Sequence, residues 1–118
     1  MADNVILNNV VTGGFLPGIS LHAFGPGHIT GTKLIGNVLS NNGAGEVAPG
    51  MKGIEIFAVP HVGVITGTQV LSDAISNDDY GVWHIADTAT HIANLQTNNV
   101  ATPVFPRSCP KVAEWYTI

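Results

Sequence analysis

The chain has 118 residues and a net charge of −4 at pH 7, and only four of its residues are Lys or Arg. This length suits a single domain over residues 1–118, and so few cations exclude a phosphate-binding surface, so we expect no nucleic-acid partner. No apolar run approaches the roughly 20 residues that cross a bilayer, so we expect no membrane partner. The single cysteine, Cys109, predicts no internal disulfide.

Short β-type segments alternate with turn residues along the chain, and no helical stripe interrupts them. Gly, Asn and Asp in the turns tolerate the left-handed backbone conformation that sharp corners require. The predicted strands are Val5–Leu7, Ile19–Leu21, His28–Thr30, Lys33–Ile35, Gly53–Phe57, Val62–Thr66, Gln69–Leu71, Val82–Ile85, His91–Leu95 and Val104–Phe105.

Near-copies recur at fixed offsets. Ile29–Lys33 and Val38–Asn42 reappear as Ile65–Gln69 and Ala74–Asp78, 36 positions later in each case. A second series places Gly18–Leu21, Gly53–Ile56 and Gly81–His84 at offsets of 35 and 28. Such spacing is typical of stacked repeats, so the sequence predicts a solenoid of parallel strands around an aliphatic column of Ile19, Leu21, Ile54, Ile56 and Val82.

The alternation of Gly-Ile-x-Ile strands with Asn- and Gly-rich turns over residues 5–105 resembles the right-handed parallel β-helix of the pectin-lyase-like superfamily. The resemblance implies an all-β fold, a short right-handed parallel β-helix of about three to four turns. Residues 106–118 are then a C-terminal tail or cap. Members of that superfamily include polysaccharide lyases and hydrolases, and also modules that bind or form scaffolds without catalysis.

Outward positions of the predicted strands supply the candidate binding surface. Ser20, Glu55 and Trp83 are expected in one row, and His22, Phe57 and Ile85 in the row beside it. An exposed indole beside a carboxylate and an imidazole suits a sugar, so Trp83, Glu55, His22 and Phe57 are the candidate substrate-binding residues. The alternative is that Trp83 and Phe57 lie beneath a loop or against another subunit, since large aromatic side chains mostly bury area.

Asp78 and Asp79, with Asp73 nearby, form the acidic cluster of the sequence. Paired carboxylates roughly 5 to 10 Å apart can hydrolyse a glycosidic bond, which makes Asp78, Asp79 and Glu55 the weak catalytic candidates. The alternative is structural, because Asp is common at corners for backbone reasons. Calcium needs six to eight oxygen ligands, and this cluster does not promise them.

Five histidines, His22, His28, His61, His84 and His91, fall in no zinc motif, so we expect neither a metal nor a cofactor. His84 occupies an inward position by the alternation of the predicted strand. Cys109 lies in a proline-framed segment with no helix N-terminus to activate it, and we interpret it as an incidental thiol.

These patterns predict a non-catalytic β-solenoid module that binds carbohydrate or serves as a structural scaffold. The alternative is a small polysaccharide lyase or glycoside hydrolase that uses Asp78, Asp79 and Glu55, supported by His84 or Lys52. A polysaccharide is the expected ligand. A short stack leaves its ends open, so we predict a homo-oligomer through those ends or through aromatic residues such as Trp115 and Tyr116. The residues Met1–Asn4 show no secretion signal, and a secreted or cell-surface parent stays open.

Overall fold

The computed structural model describes residues 2–23, 27–44, 51–58, 64–85 and 90–107, and these residues form strands, bends and turns but no helix. Within them the strands are β1 (Val5–Leu7), β2 (Val10–Thr12), β3 (Ile19–Ala23), β4 (His28–Thr30), β5 (Lys33–Ile35), β6 (Val38–Ser40), β7 (Lys52–Ala58), β8 (Val64–Thr66), β9 (Thr68–Leu71), β10 (Ala74–Ile85), β11 (Thr90–Ala93) and β12 (Gln96–Arg107). The described chain is therefore all-β, as the sequence predicts.

All pairing between these strands is parallel, and the sheets curl around a common core. One sheet has the order β1-β5-β9-β11, a second has the order β2-β6-β10-β7-β3 with β12 also paired to β10, and a third joins β4 to β8. The chain thus visits the same sheets repeatedly. We call the four successive groups of strands rung 1 (β1–β4), rung 2 (β5–β8), rung 3 (β9–β10) and rung 4 (β11–β12).

The strand pairing confirms both repeat registers of the sequence. Ile29 lies opposite Ile65, which is the offset of 36 residues. Ile19 lies opposite Ile54, and Ile54 lies opposite Val82, which are the offsets of 35 and 28 residues. Like side chains therefore stack on like side chains along the direction of the interstrand hydrogen bonds.

Strand boundaries differ from the prediction in several places. The sequence does not predict β2 and β6 as strands, although the repeat includes Val38–Asn42. β10 and β12 begin well before the predicted Val82 and Val104, because both strands continue through their corner residues. Pro106 and Arg107 belong to β12, so the described chain is still a strand where a tail was expected, and residues 108–118 lie outside the described part.

The core is a set of aliphatic columns between the sheets. Leu34, Leu39 and Val70 are completely buried in rungs 2 and 3. Ile6 of rung 1 and Ile92 of rung 4 occupy equivalent positions and are only partly buried, because each has a neighbouring rung on one side. Full burial of one such side chain stabilises the fold by about 1.5–3 kcal/mol, so the inner rungs contribute most of the hydrophobic stabilisation.

Corners recur at the same places in successive rungs, and their residues have positive φ. Asn and Gly tolerate this left-handed region because it costs them little steric energy. One column contains Asn8, Gly36, Ser72 and Asn94, with φ between 53° and 65°, and a second contains Gly13, Asn41, Asn77 and Asn99, with φ between 54° and 70°. The prediction that Asn and Gly mark corners is therefore confirmed at these positions except Ser72.

A separate column of glycines precedes the aliphatic strands for a steric reason. A Cβ atom on Gly53 would lie 2.6 Å from Cγ2 of Ile75, and one on Gly81 would lie 2.4 Å from the carbonyl oxygen of Pro103. Neither distance is tolerated by real Cβ atoms. Glycine at these two positions lets the backbones of β7 and β10 lie close to their neighbours, which no larger residue allows.

Candidate functional site

The predicted outward rows lie on the sheet formed by β3, β7 and β10. Ser20 pairs with Glu55, and Glu55 pairs with Trp83, so these three residues form one line across neighbouring strands. His22 pairs with Phe57 in the line beside it. We call the side chains that contact one another on this face the outer cluster: His22, Lys52, Glu55, Phe57 and Trp83.

Glu55 joins the polar part of the outer cluster through a hydrogen bond with His22 and an ion pair with Lys52. Its Oε1 lies 2.6 Å from Nε2 of His22, and its Oε2 lies 3.1 Å from Nζ of Lys52. The side chain of Lys52 is 2% exposed, that of Glu55 is 11% exposed and that of His22 is 38% exposed. An ammonium this buried needs a nearby carboxylate to offset the loss of hydration, so Glu55 is the counter-ion of Lys52.

The side chains of Lys52 and Glu55 meet although three positions separate them on β7. Residues three positions apart on a strand point to opposite faces, so strand alternation alone does not predict this contact. Nζ of Lys52 nevertheless lies beside both the Glu55 carboxylate and the ring of Trp83, which makes it part of the outer cluster.

Opposing effects act on the pKa of Glu55. Burial raises this pKa, but the hydrogen bond with His22 and the positive charge of Lys52 together lower it by more, so the Glu55 carboxyl has a pKa below its ordinary value. The carboxyl is therefore ionised at neutral pH. A general acid in glycoside hydrolysis needs a raised pKa, so Glu55 does not fit that role.

Trp83 is buried, which differs from the expected exposed indole. Only 2% of the residue is accessible to solvent. The ring of Phe57 stacks on its ring at a centroid distance of 6.1 Å and an angle of 15°, and Nζ of Lys52 lies 5.3 Å from its centroid. These contacts cover the indole, so Trp83 offers no open face on which a sugar could stack. Phe57, half-buried, and His22 form the accessible side of the outer cluster.

The acidic residues Asp78 and Asp79 serve the backbone of rung 2. Oδ1 of Asp78 accepts a hydrogen bond of 3.0 Å from the amide of Asn42, and Oδ2 of Asp79 accepts one of 2.9 Å from the amide of Met51. The corner itself is Asn77, so Asp78 is the first residue after it and points inward, where it is 5% exposed. Burial raises the pKa of Asp78 to about 6.

Asp78 and Glu55 do not form a hydrolytic pair. Glu55 lies opposite Trp83, and the five residues from Asp78 to Trp83 span about 16 Å of extended strand. Glycosidases hold their two carboxyl groups roughly 5 to 10 Å apart. In addition, Asp78 faces the interior while Glu55 lies on the outer face. The convergence of carboxylates that the enzymatic alternative requires is therefore not found between these residues.

The histidines are distributed over separate parts of the fold. His84 pairs with Ile56 in an inward position and is buried, as its place in the strand predicts. His28 and His91 are exposed, and His61 and Cys109 lie outside the described residues. Within the residues that the structure describes, no three His, Cys, Asp or Glu side chains come together as a metal site.

An open depression of about 320 Å³ lies elsewhere, between β10 and β12. Its lining residues are Ala74, Ile75, Ser76, Gln96, Thr97 and Asn98. None of these side chains is a carboxyl, an imidazole or an amine, so the lining provides no general acid or base, and no base to activate the hydroxyl groups of Ser76 and Thr97.

Sequence reasoning missed a second polar feature, inside the fold. Asn37 is completely buried and hydrogen-bonds to Asp73, and Asn42 is completely buried and hydrogen-bonds to Asp78. Both pairs are separated by 36 residues, the main repeat offset. The signal was therefore available: a polar residue that recurs after each corner at the repeat spacing indicates an internal polar stack.

Comparison with known proteins gives no family: no family model matches the chain, and neither the curated proteins nor the solved structures contain a match. A search of the described residues for a helix long and apolar enough to span a membrane finds none.

Proposed function

We propose that the chain is a short right-handed parallel β-helix that acts without catalysis, as a structural scaffold. The observation that carries this proposal is the way the acidic groups are used. Glu55 neutralises the buried Lys52, and Asp78 and Asp79 accept hydrogen bonds from backbone amides of rung 2. Each of these carboxylates stabilises the stack of rungs, and none of them is paired with another as an acid and base.

Carbohydrate binding is the second candidate, and one observation favours it. His22 and Phe57 lie side by side at the accessible edge of the outer cluster, with ring centroids 5.8 Å apart. An aromatic ring beside an imidazole can pack against the C–H face of a sugar and hydrogen-bond to its hydroxyl groups. A polysaccharide bound there would contact the edge of the outer cluster, whereas Trp83 would support Phe57 from below.

A glycan array with a matched pair of variants separates these proposals. Phe57→Leu removes the accessible ring of the outer cluster, and Phe15→Leu removes a ring that is exposed elsewhere, between β2 and β3. If the module is only a scaffold, neither the wild type nor either variant binds a glycan. Binding that is lost in Phe57→Leu and kept in Phe15→Leu supports the carbohydrate-binding role instead.

The enzymatic alternative is tested by incubating the protein with uronic-acid polymers and with neutral polysaccharides. We expect no new reducing ends and no unsaturated products, because the described carboxylates are committed to structural contacts. Product formation that disappears in Glu55→Gln or Asp78→Asn would refute the non-catalytic proposal.

The homo-oligomer is proposed on the exposed apolar surface of rung 1. Val10, Phe15 and Leu16 are 75%, 73% and 64% exposed, and β1 and β2 each have a paired strand on one side only. Open strand edges beside apolar side chains favour association. We expect light scattering at tens of micromolar to show a species larger than the monomer, reduced by Phe15→Ser; a monomer under these conditions would contradict the proposal.

A further inference from the structure

Two stacks of polar groups lie behind the two columns of corners, and their members in rungs 2 and 3 are buried. In the first, Asn9, Asn37 and Asp73 occupy equivalent positions in rungs 1 to 3, at offsets of 28 and 36 residues. In the second, Gly14, Asn42 and Asp78 do the same. Rung 2 thus supplies Asn in both stacks, and rung 3 supplies Asp.

Each asparagine uses both ends of its amide. Oδ1 of Asn37 accepts from the amide of Asn9 at 2.9 Å, while Nδ2 donates to the carbonyl oxygen of Ile6 at 3.0 Å. Asn42 repeats this arrangement with the amide of Gly14 and the carbonyl oxygen of Val11, both at 3.0 Å. A side chain at this position therefore accepts a hydrogen bond from one backbone group and donates a hydrogen bond to another.

The aspartates reproduce only half of the pattern. Oδ1 of Asp73 accepts from the amide of Asn37 at 2.7 Å, and Oδ1 of Asp78 accepts from the amide of Asn42 at 3.0 Å. Oδ2, the atom that takes the place of the asparagine Nδ2, is buried without a hydrogen-bond partner in both residues. A carboxylate has no proton to donate, whereas a carboxylic acid has one.

We propose that Asp73 and Asp78 are protonated in the folded protein at mildly acidic pH, and that each Oδ2–H donates to a backbone carbonyl of rung 2. The repeat identifies the acceptors. Leu34 pairs with Ile6, and Leu39 pairs with Val11, so the carbonyl oxygens of Leu34 and Leu39 correspond to those that Asn37 and Asn42 use. A bound proton thus makes each aspartate behave as the asparagine of the preceding rung.

The charges around Asp78 favour the neutral form. Asp79 on the same strand adds a negative charge. The residue opposite Asp78 on β12 is Val100, which is uncharged. β6 has no ionisable residue, and β7 carries Lys52 and Glu55, which pair with each other. Farther along β10 lie Tyr80 and His84. Arg107 ends β12, seven positions beyond Val100.

Asp73 lies between β9 and β10, and its carboxyl interacts with Asn37 and the backbone of Leu71. The ionisable residues of the neighbouring strands are Lys33 of β5 and His91 of β11, both exposed on the outer surface. Burial raises the pKa of Asp73, as it does that of Asp78. The geometry and the surroundings of both carboxyls therefore favour the protonated form.

This proton makes the fold sensitive to pH. A folded state that holds the proton to a higher pH than the unfolded chain loses stability as the pH rises through the folded-state pKa. For Asp78, with a pKa of about 6 against an ordinary 3.8, the unfolding equilibrium constant should increase by roughly a hundredfold between pH 4 and pH 8. Asp73 should act in the same direction.

The test compares Asp73→Asn and Asp78→Asn with the wild type by urea unfolding from pH 4 to pH 8. Asparagine can make both hydrogen bonds at every pH, so we expect each variant to match the wild type at low pH and to lose less stability as the pH rises. Asp3→Asn, which removes an exposed carboxylate, is the control and should leave the pH dependence unchanged. Variants that shift stability equally at all pH values would overturn the proposal.

A direct titration keeps the proposal testable even if an asparagine variant does not fold. The ¹³Cγ chemical shifts of the wild-type aspartates report protonation residue by residue. We expect the Asp78 signal to be that of a carboxylic acid at pH 5 and to change near pH 6, and the Asp73 signal to change at a higher pH than that of an ordinary aspartate. Signals of ionised carboxylates for both residues at pH 5 would refute the proposal.

Discussion

Replacement of Glu55 by Gln is the sharpest test of the outer cluster. The change leaves the Lys52 ammonium, whose side chain is 2% exposed, without the carboxylate that lies 3.1 Å from it. Removal of one partner of a buried ion pair costs about 3–5 kcal/mol, because the remaining charge stays desolvated. His22 allows some solvent to reach the cluster, so we expect the lower end of that range, about 3 kcal/mol.

Removal of both charges should recover most of this loss. In Lys52→Met the thioether takes the place of the ammonium over the ring of Trp83, a contact that sulfur favours. The double variant Glu55→Gln with Lys52→Met should therefore be more stable than Glu55→Gln alone. A coupling free energy of about 2 kcal/mol between the two sites is the expected size for partners in one charge network.

The assay is urea unfolding at pH 7, followed by tryptophan fluorescence. The chain has two tryptophans, so a Trp115→Phe background isolates the signal of Trp83. Lys33→Met is the matched control, because Lys33 is exposed on β5, and it should change the free energy of unfolding by less than about 0.5 kcal/mol. A loss below about 1 kcal/mol in Glu55→Gln, or strict additivity in the double variant, would refute the assignment of Glu55 as the counter-ion.

Two further substitutions test the stack of rungs by the same unfolding measurement. Leu39→Ala should lower the free energy of unfolding by about 2–5 kcal/mol, since Leu39 is completely buried, whereas Val38→Ala, beside it and 47% exposed, should cost far less. Gly81→Ala should cost more than about 1 kcal/mol, because the new Cβ would lie 2.4 Å from the carbonyl oxygen of Pro103 and the backbone must shift. Equal effects at positions 38 and 39, or a neutral alanine at 81, would contradict the register.

The sequence predicted the registers because stacking makes equivalent positions chemically alike. Ile29 and Ile65, or Gly53 and Gly81, serve the same steric purpose in successive rungs, so their identity is repeated at the offset of the strand pairing. The lengths of β10 and β12 could not be predicted in this way. Their strands continue through corner residues such as Asn77 and Asn99, whose composition is that of a turn.

The outer cluster was predictable in its positions but not in its exposure. Alternation along the strands placed Glu55 and Trp83 in one outward row, and the strand pairing agrees. Whether an outward side chain is exposed to solvent depends on which other side chains cover it. Nζ of Lys52 lies over the indole although Lys52 is three positions from Glu55 on β7, and strand alternation does not place it on this face.

Two oppositely directed proton equilibria set the pH at which this fold should be most stable. Glu55 has a lowered pKa, so its contribution is present above about pH 4.5 and is lost as the pH falls through its folded-state value. The proposed protons on Asp73 and Asp78 act in reverse: for Asp78 the contribution is fully present below the ordinary value of 3.8 and is lost progressively as the pH rises to about 6. Maximum stability is therefore expected in the narrow range between about pH 3.8 and pH 4.5. Glu55→Gln should extend this range to lower pH, and Asp78→Asn should extend it to higher pH; a single maximum near pH 8 in the wild type would contradict the assignment of the aspartates.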